Sequence, residues 1–438
     1  YAISTNTDIF FFNLATKKTI NRTESNLGYN VAPQISPSGD LTWLQMKRDG
    51  YEADKNDIVV SFKGIDMNLT ANWDGTVDSY QWSDDGSKVY FIAAIDGTKQ
   101  LFEVNFPGMT RIAINVQQIT KGNFDVNGIV GFSGSKVIVT RGDMNHAAEI
   151  YSYDLKKKDW KQISNINTED YKSLALSKTE RRYVTTTDGK KMLVWVILPP
   201  NFDPAKKYPT LLYCQGGPQS ALTQSYSFRW NFQLMAANGY IVVAPNRRGM
   251  PGHGVAWNEQ ISGDWGGQVM QDYLAAIDDV AKEKYVDKDR LGCVGASYGG
   301  YSAFYLAGIH KNRFKTFIAH DGVFNTQSMF GTTEEVFFNN WDFGGAYWEK
   351  DNKVAQKTYN EFNPITLVKN WNAPILIVQG GKDFRVPIGQ SLEAFQAAQL
   401  LGIKSRLVYF PEENHWVLKP QNAIVWQGEF FKWLKETL

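Results

Sequence analysis

Cysteine is scarce in this 438-residue chain: only Cys214 and Cys293 occur, both in apolar runs. That excludes a disulfide framework or a cysteine-built metal site and makes the pair small buried hydrophobes. An excess of charge of one sign is also lacking, since 46 basic residues face 45 acidic ones for a formal net charge of +1. Such a balance gives no footprint for nucleic acid or an anionic membrane, and the run Lys156, Lys157, Lys158 reads as a solvated hairpin tip. No segment approaches the roughly 18 uncharged apolar residues of a membrane span. No signal-peptide pattern is present either, although the chain opens at Tyr1 rather than at methionine. Histidine is rare enough, at five residues, for imidazole chemistry to be assigned by elimination. Aromatic residues are plentiful at 14%, as core or cleft lining. The length suffices for two or three domains and a sizeable core.

Two grammars divide the chain. Up to about residue 165, short alternating strands are broken by turn clusters. APQISPSGDLTWLQM, SYQWSDDGSKVYFIAA and GIVGFSGSKVIVTRG repeat one pattern, in which Ser36, Ser83 and Ser133, spaced 47 and 50 residues apart, each precede a glycine (Gly39, Gly86, Gly134). A repeat of that length built from four short strands predicts propeller blades, with a β-sandwich as the alternative. The opening DIFFFNL matches the last strand of a blade, so about three and a half blades are expected, a propeller truncated at its N-terminus. From about residue 180 strands alternate with helices, which predicts a mainly parallel, doubly wound sheet with functional groups at the strand carboxyl ends. The expected architecture is an α/β-hydrolase domain over 169–438, preceded by an all-β domain, part of a β-propeller, over 1–168.

The stretch LGCVGASYGGY, residues 291 to 301, places Ser297 between a buried strand and a helix in the pattern G-x-S-x-G. A nucleophile on so sharp a turn needs neighbours that are almost atom-free beyond Cα. Serine also needs a base and a group that orients it, in the chain order Ser, acid, His. His146 lies in the β-repeat half, His253 in an upstream turn, and His310 at the far end of the elbow helix. His320 follows a strand but precedes any suitable acid. His415, in EENHW after the last strand, and Asp383, in GGKDFRVP after the preceding strand, complete the set. Oxyanion donors are expected from the Tyr298 backbone N–H and from Gly216 or Gly217 in YCQGGPQS. No cluster has metal-ligand spacing, so no metal or organic cofactor is expected.

GASYGGY, GGKDFRVP, ENHW and YCQGGP, behind a propeller, resemble the prolyl oligopeptidase family of serine peptidases. NRRGMPGHG, GDWGG and GTTEEVFFNNWDFGGAYWE look most like its acylaminoacyl-peptidase and dipeptidyl peptidase V branch. The resemblance is specific over 176–438 and architectural before that. It implies a Ser297–Asp383–His415 triad acting on short peptides in a cavity between the two halves. Arg385 would bind a peptide carbonyl, or make an ion pair at the cleft mouth. Val323, Phe324, Phe330 and Trp341, joined by Tyr298 and Tyr301, would form the pocket for a small to medium apolar residue, unless they are core. Glu334 and Glu335 would hold a substrate ammonium group, or form an exposed acidic turn. Gln215 departs from the Tyr or His common before the glycines, so a tyrosine hydroxyl cannot be the second oxyanion donor from that position. Release of N-terminal dipeptides is implied by the branch; acylaminoacyl-peptidase or oligopeptidase activity is the nearest alternative. A carboxylesterase or lipase would use the same triad, and a propeller scaffold with an inactive hydrolase domain would need a broken one. A periplasmic or secreted location is implied, with cytoplasmic the alternative, and a homodimer is compatible with the family.

Overall fold

The computed structural model describes residues 3–108 and 114–438. Its first half consists of short antiparallel strands. β1 (Phe10–Phe12) and β2 (Thr19–Asn21) form a two-stranded ribbon. A four-stranded meander follows, made of β3 (Asn30–Ile35), β4 (Leu41–Gln45), β5 (Asp57–Phe62) and β6 (Ile65–Asn68). A second comprises β7 (Ser79–Trp82), β8 (Lys88–Ile95), β9 (Thr98–Asn105) and β10 (Val116–Gln118). The third comprises β11 (Asp125–Ser133), β12 (Lys136–Asp143), β13 (His146–Asp154) and β14 (Asp159–Gln162). Each repeated turn glycine, Gly39, Gly86 and Gly134, has a left-handed φ (92°, 68° and 60°), which accounts for a glycine at that point of every repeat.

The period-two alternation of β8 shows how these sheets are held. Val89, Phe91 and Ala93 pack on Leu44, Ile58 and Val60 of the preceding meander. Tyr90 and Ile92, on the opposite face, pack on Val126, Val137 and Val139 of the following one. A strand with both faces covered must be apolar throughout, and the three meanders accordingly stack face to face in chain order.

The second half is built on an eight-stranded sheet. Its strands are β15 (Lys178–Thr185), β16 (Lys191–Leu198), β17 (Tyr208–Cys214), β18 (Ile241–Pro245), β19 (Val286–Ala296), β20 (Thr316–His320), β21 (Ile375–Gly380) and β22 (Ser405–Phe410). They lie in the order β15-β16-β18-β17-β19-β20-β21-β22. β15 and β16 pair antiparallel, as do β16 and β18, and the remaining pairings are parallel. Along β16, Met192, Val194 and Val196 enter one core and Leu193, Trp195 and Ile197 the other. The helices Gln268–Val280 and Tyr298–Ile309 cover the first face, and Trp426, Phe430 and Trp433 of the helix Pro420–Thr437 cover the second. The sheet is thus closed on both sides, and the carboxyl ends of β19, β20, β21 and β22 are left to carry loops. Cys214 and Cys293 are free and buried in this core, their sulfurs 3.7 Å apart. Among the described residues no helix is long and apolar enough to cross a membrane.

Candidate active site

Ser297 occupies the turn between β19 and the helix Tyr298–Ile309, with φ 60° and ψ −123°. A non-glycine residue in that region is strained, and the turn exists because its surroundings lack side chains. A Cβ on Gly299 would lie 2.0 Å from the Cys214 carbonyl oxygen, and one on Gly295 would lie 2.4 Å from that of Gly299. Both contacts are with backbone, which has no room to withdraw. The Ser297 N–H donates to the His320 carbonyl at 3.0 Å and to Asp321 Oδ1 at 2.8 Å.

The loops after β21 and β22 supply the acid and the imidazole. His415 Nδ1 lies 2.7 Å from Asp383 Oδ2. Asp383 is buried, and its Oδ1 accepts the N–H groups of Arg385 (3.0 Å) and Val386 (2.9 Å). The carboxylate is therefore held at both oxygens, and the imidazole is oriented through Nδ1 with Nε2 left for proton transfer. Burial disfavours the imidazolium, but the Asp321 charge and the Asp383 hydrogen bond outweigh it, so the His415 pKa lies above its ordinary 6.5. His320, fully buried, is pushed the opposite way by loss of solvent. The other histidines lie elsewhere: His146 on Asp143 and Tyr171, His253 packed beside Trp257, and His310 on Asn372.

Ser297, Tyr298, Gly216, Gly217, Val323, Arg385 and His415 line one cavity of about 360 Å³. Gly216 abuts the elbow, since a Cβ there would lie 3.4 Å from Ser297 Cβ. The loop carrying it is pinned by Arg247, which is fully buried and donates to Gln215 O (3.1 Å), Pro218 O (2.7 Å), Arg248 O (2.7 Å) and Tyr273 Oη (2.9 Å). Its guanidinium also lies 4.7 Å from the Tyr298 ring centroid. One cation thus joins the glycine loop to the residue after Ser297. Gln215 is used locally: its Oε1 accepts from Tyr213 Oη at 2.8 Å, and its Nε2 donates to Ser220 Oγ at 3.2 Å.

Four residues expected in the specificity pocket are not among those lining the cavity. Tyr301 and Phe324 are fully buried in the core, with Tyr301 Oη donating to Phe362 O and Phe324 packed on Phe304 and Trp371. Phe330 packs on Tyr347, Trp348 and Tyr359. Trp341 stacks on Tyr51 of the β-rich half, centroids 4.6 Å apart. The apolar wall is formed instead by Val323, Met329, Phe338, Trp265 and Val386. Arg385 pairs with Glu335 at 2.7 Å and with Glu334 at 3.6 Å, while its Nε is buried with no hydrogen-bond partner. Burial and nearby Glu52 raise the Glu335 pKa to about 7 despite Arg385.

Sequence reasoning missed Asp321, Arg247 and Glu52. Two arginines ending a buried strand (IVVAPNRRG) were the available signal for Arg247, and HDG after β20 was that for Asp321. Glu52 carries no local signal; it reaches the cavity only through the packing of the two halves. Asp321, Asp383 and His415 form the one grouping among the described residues with three ligand-type atoms within 4.8 Å of one another. Within it His415 Nδ1 and Asp383 Oδ2 are in hydrogen-bond contact, Asp321 Oδ2 lies 3.6 Å from the same nitrogen, and Asp321 Oδ1 accepts the Ser297 N–H.

Residues 226–438 match the prolyl oligopeptidase family, and residues 17–193 match the dipeptidyl peptidase IV N-terminal region. Dipeptidyl-peptidase 5 of Porphyromonas gingivalis is 45% identical over 100% of this chain and 64% of its own length. Residues 226–438 belong to the prolyl oligopeptidase family. Dipeptidyl-peptidase 5 of Schizosaccharomyces pombe is 31% identical over 99% of this chain and 62% of its own length, so the chain spans less than two thirds of these relatives. Among solved structures of the family, Pyrococcus horikoshii acylaminoacyl peptidase superposes with a TM-score of 0.85 at 22% identity, covering 98% of this chain and 66% of that one. Porphyromonas gingivalis dipeptidyl peptidase 4 superposes with a TM-score of 0.74 at 18% identity, covering 93% and 56%. At those identities the likeness concerns the fold.

Proposed function

We propose that this chain carries the reaction centre of a serine peptidase that releases dipeptides from free N-termini. The observation that carries the reading is the His415–Asp383 pair at 2.7 Å on the same cavity as the strained Ser297. In this reading Ser297 Oγ attacks the scissile carbonyl carbon and gives its proton to His415 Nε2. Asp383 stabilises the imidazolium through Nδ1–H, and the imidazolium then protonates the leaving amine. The Tyr298 N–H and that of Gly216 or Gly217 receive the oxyanion, where one such donor is worth about a hundred- to a thousandfold in turnover. Water, activated by the same imidazole, hydrolyses the acyl-enzyme.

Carboxylates support a free amine as the recognised end. Glu52 and Glu335 both face the cavity, and burial raises the pKa of each. A substrate ammonium group would stabilise their charged forms. The wall of Val323, Met329, Phe338 and Trp265 suits a small or apolar residue before the scissile bond. Arg385 borders the cavity, where its guanidinium could donate to a peptide carbonyl. Two carboxylates and a guanidinium on that cavity favour peptides over the long acyl chains of a lipase. We assign the stacked meanders of residues 1–168 to a β-propeller and residues 169–438 to the hydrolase domain, with a periplasmic or secreted location that cell fractionation tests.

The test is digestion of a peptide library with free and with acetylated N-termini, with Ser297→Ala as the control. Dipeptides from free ends alone support the reading. Equal internal cleavage of acetylated peptides makes the protein an oligopeptidase, and turnover of long-chain esters without peptides rejects a peptidase altogether.

A further inference from the structure

The turn after β20 holds a carboxylate that the triad does not account for. Asp321 is 2% exposed, and its φ of 39° is one that side-chain-bearing residues rarely adopt. The turn is held on both flanks. The Asp321 N–H donates to Val378 O of β21 at 2.8 Å. Gly322 is pressed against the nucleophile helix so closely that a Cβ there would lie 2.4 Å from the Gly300 carbonyl carbon. A fixed turn fixes the carboxylate. Oδ1 accepts the Ser297 N–H at 2.8 Å. Oδ2 lies 3.6 Å from His415 Nδ1 and 3.5 Å from His320 Nε2.

The imidazole therefore has two buried carboxylates on its Nδ1 side, one in hydrogen-bond contact and one just beyond it. We propose that Asp321 is a second positioning carboxylate of the reaction centre, tying the backbone of the nucleophile to the imidazole of the base. Its geometry differs from that of Asp383. Asp383 spends one oxygen on its own loop and the other on the ring. Asp321 spends one oxygen on the Ser297 peptide and presents the other to the ring, so that it couples the two partners between which the proton moves. The proposal rests on the triad reading above, and the experiment separates the two.

A merely structural carboxylate would cap the Ser297 peptide and leave the titration of the imidazole alone. Asp321→Asn distinguishes the roles, because the amide keeps an acceptor oxygen for the Ser297 N–H and replaces the charged oxygen facing the ring with an uncharged NH2 group. The other charged and titratable groups near the ring are unchanged in that variant: His320 on β20, Asp383 and Arg385 after β21, Glu335 beside Arg385, and Arg229. The readout is the rate of Ser297 labelling by a fluorophosphonate as a function of pH, with thermal unfolding as the check on folding. Wild type should label with an acid limb and Ser297→Ala should not label at all. Loss of a negative charge within about 4–6 Å should move the Asp321→Asn limb about one pH unit or more towards acid. The labelling rate on the alkaline plateau should fall about tenfold or more, because the ring is less well held.

Failure of wild type to label removes the triad reading and this proposal together. A wild-type limb superimposable on that of folded Asp321→Asn overturns this proposal alone. If Asp321→Asn does not fold, Asp383→Asn decides. Where a triad acid has no understudy its amide costs about ten thousandfold; with Asp321 available to Nδ1–H the loss should be ten- to a hundredfold smaller. A full ten-thousandfold loss overturns the proposal.

Discussion

Replacing Arg247 should damage turnover more than substrate affinity, although its side chain is not among those lining the cavity. Its fork reaches two carbonyls of the glycine loop, Gln215 O at 3.1 Å and Pro218 O at 2.7 Å, while its guanidinium carbon lies 4.7 Å from the Tyr298 ring centroid. A hydrogen bond to a charged group is worth about 1.5–3 kcal/mol, so Arg247→Met removes roughly 3–6 kcal/mol of restraint on that loop and leaves buried carbonyl oxygens without donors. Part of the loss appears as lower stability. The rest appears as freedom of Gly216 and Gly217, whose N–H groups are the candidate oxyanion donors. If one donor drifts out of place, kcat should fall about a hundredfold or more with KM changed far less. Arg247→Lys keeps the charge but replaces a planar fork with a single ammonium, so it should recover stability better than kcat. Steady-state kinetics on a dipeptide anilide, with thermal unfolding of each variant, decide the matter. A folded Arg247→Met with kcat within threefold of wild type would refute the coupling of this cation to the oxyanion loop.

Arg385→Ala should raise KM for peptides about tenfold with kcat little altered, since the guanidinium borders the cavity; unchanged peptide kinetics would remove its carbonyl-binding role and leave only the ion pair with Glu335. Gly299→Ala should abolish the folded elbow, because its Cβ would lie 2.0 Å from a backbone oxygen; a variant that melts within a few degrees of wild type contradicts the steric account. Activity in wild type should fall on acidification through a pH above 6.5, because His415 works as a neutral base and its pKa is raised; an acid limb below 6.5 would contradict that direction. Glu335 gains its charge through about pH 7, whereas an α-ammonium loses its own near about 7.7–8.0. Binding of free-amine peptides to Ser297→Ala should therefore peak between those values, and acetylated peptides should show no such peak in a parallel titration.

The parts of the site legible in sequence were those whose chemistry is local. The elbow announces itself because glycines at 295, 299 and 300 have no other economical explanation in a strand–helix junction. Asp383 and His415 could be found because each lies just past an apolar strand and the five histidines leave few alternatives. The turn glycines at 39, 86 and 134 likewise reported the meanders they close. The side-chain pocket was not legible, because an aromatic residue looks the same in sequence whether it lines a cavity or fills a core. Phe324 and Tyr301 went to the core since both neighbouring layers at that point are apolar, and core burial satisfies them fully. Trp341 was beyond local reasoning for a different reason: its partner, Tyr51, lies in the other half of the chain.

That contact bears on how the cavity is shaped. Tyr51 stacks on Trp341, and Arg48 covers both rings, with its guanidinium 4.7 Å from one centroid and 5.7 Å from the other. Arg48 is in turn held between Asp54 and Glu259. One residue beyond Glu52, the Ala53 carbonyl accepts from Asn258 Nδ2 at 2.9 Å. Glu52 is therefore bracketed by residues fixed to the hydrolase half, and its backbone cannot swing away without breaking a stacked pair, an ion-pair cluster and a hydrogen bond. An acidic side chain more than four-fifths of the chain away from His415 in sequence is thus held over the same cavity by rigid contacts. In the proposed reading, where Glu52 holds the free amine of a peptide bound at Ser297, the length of chain between them is set by packing between the halves. Loosening the stack with Trp341→Ala should for that reason relax the selection of substrate length while leaving Ser297, Asp383 and His415 untouched.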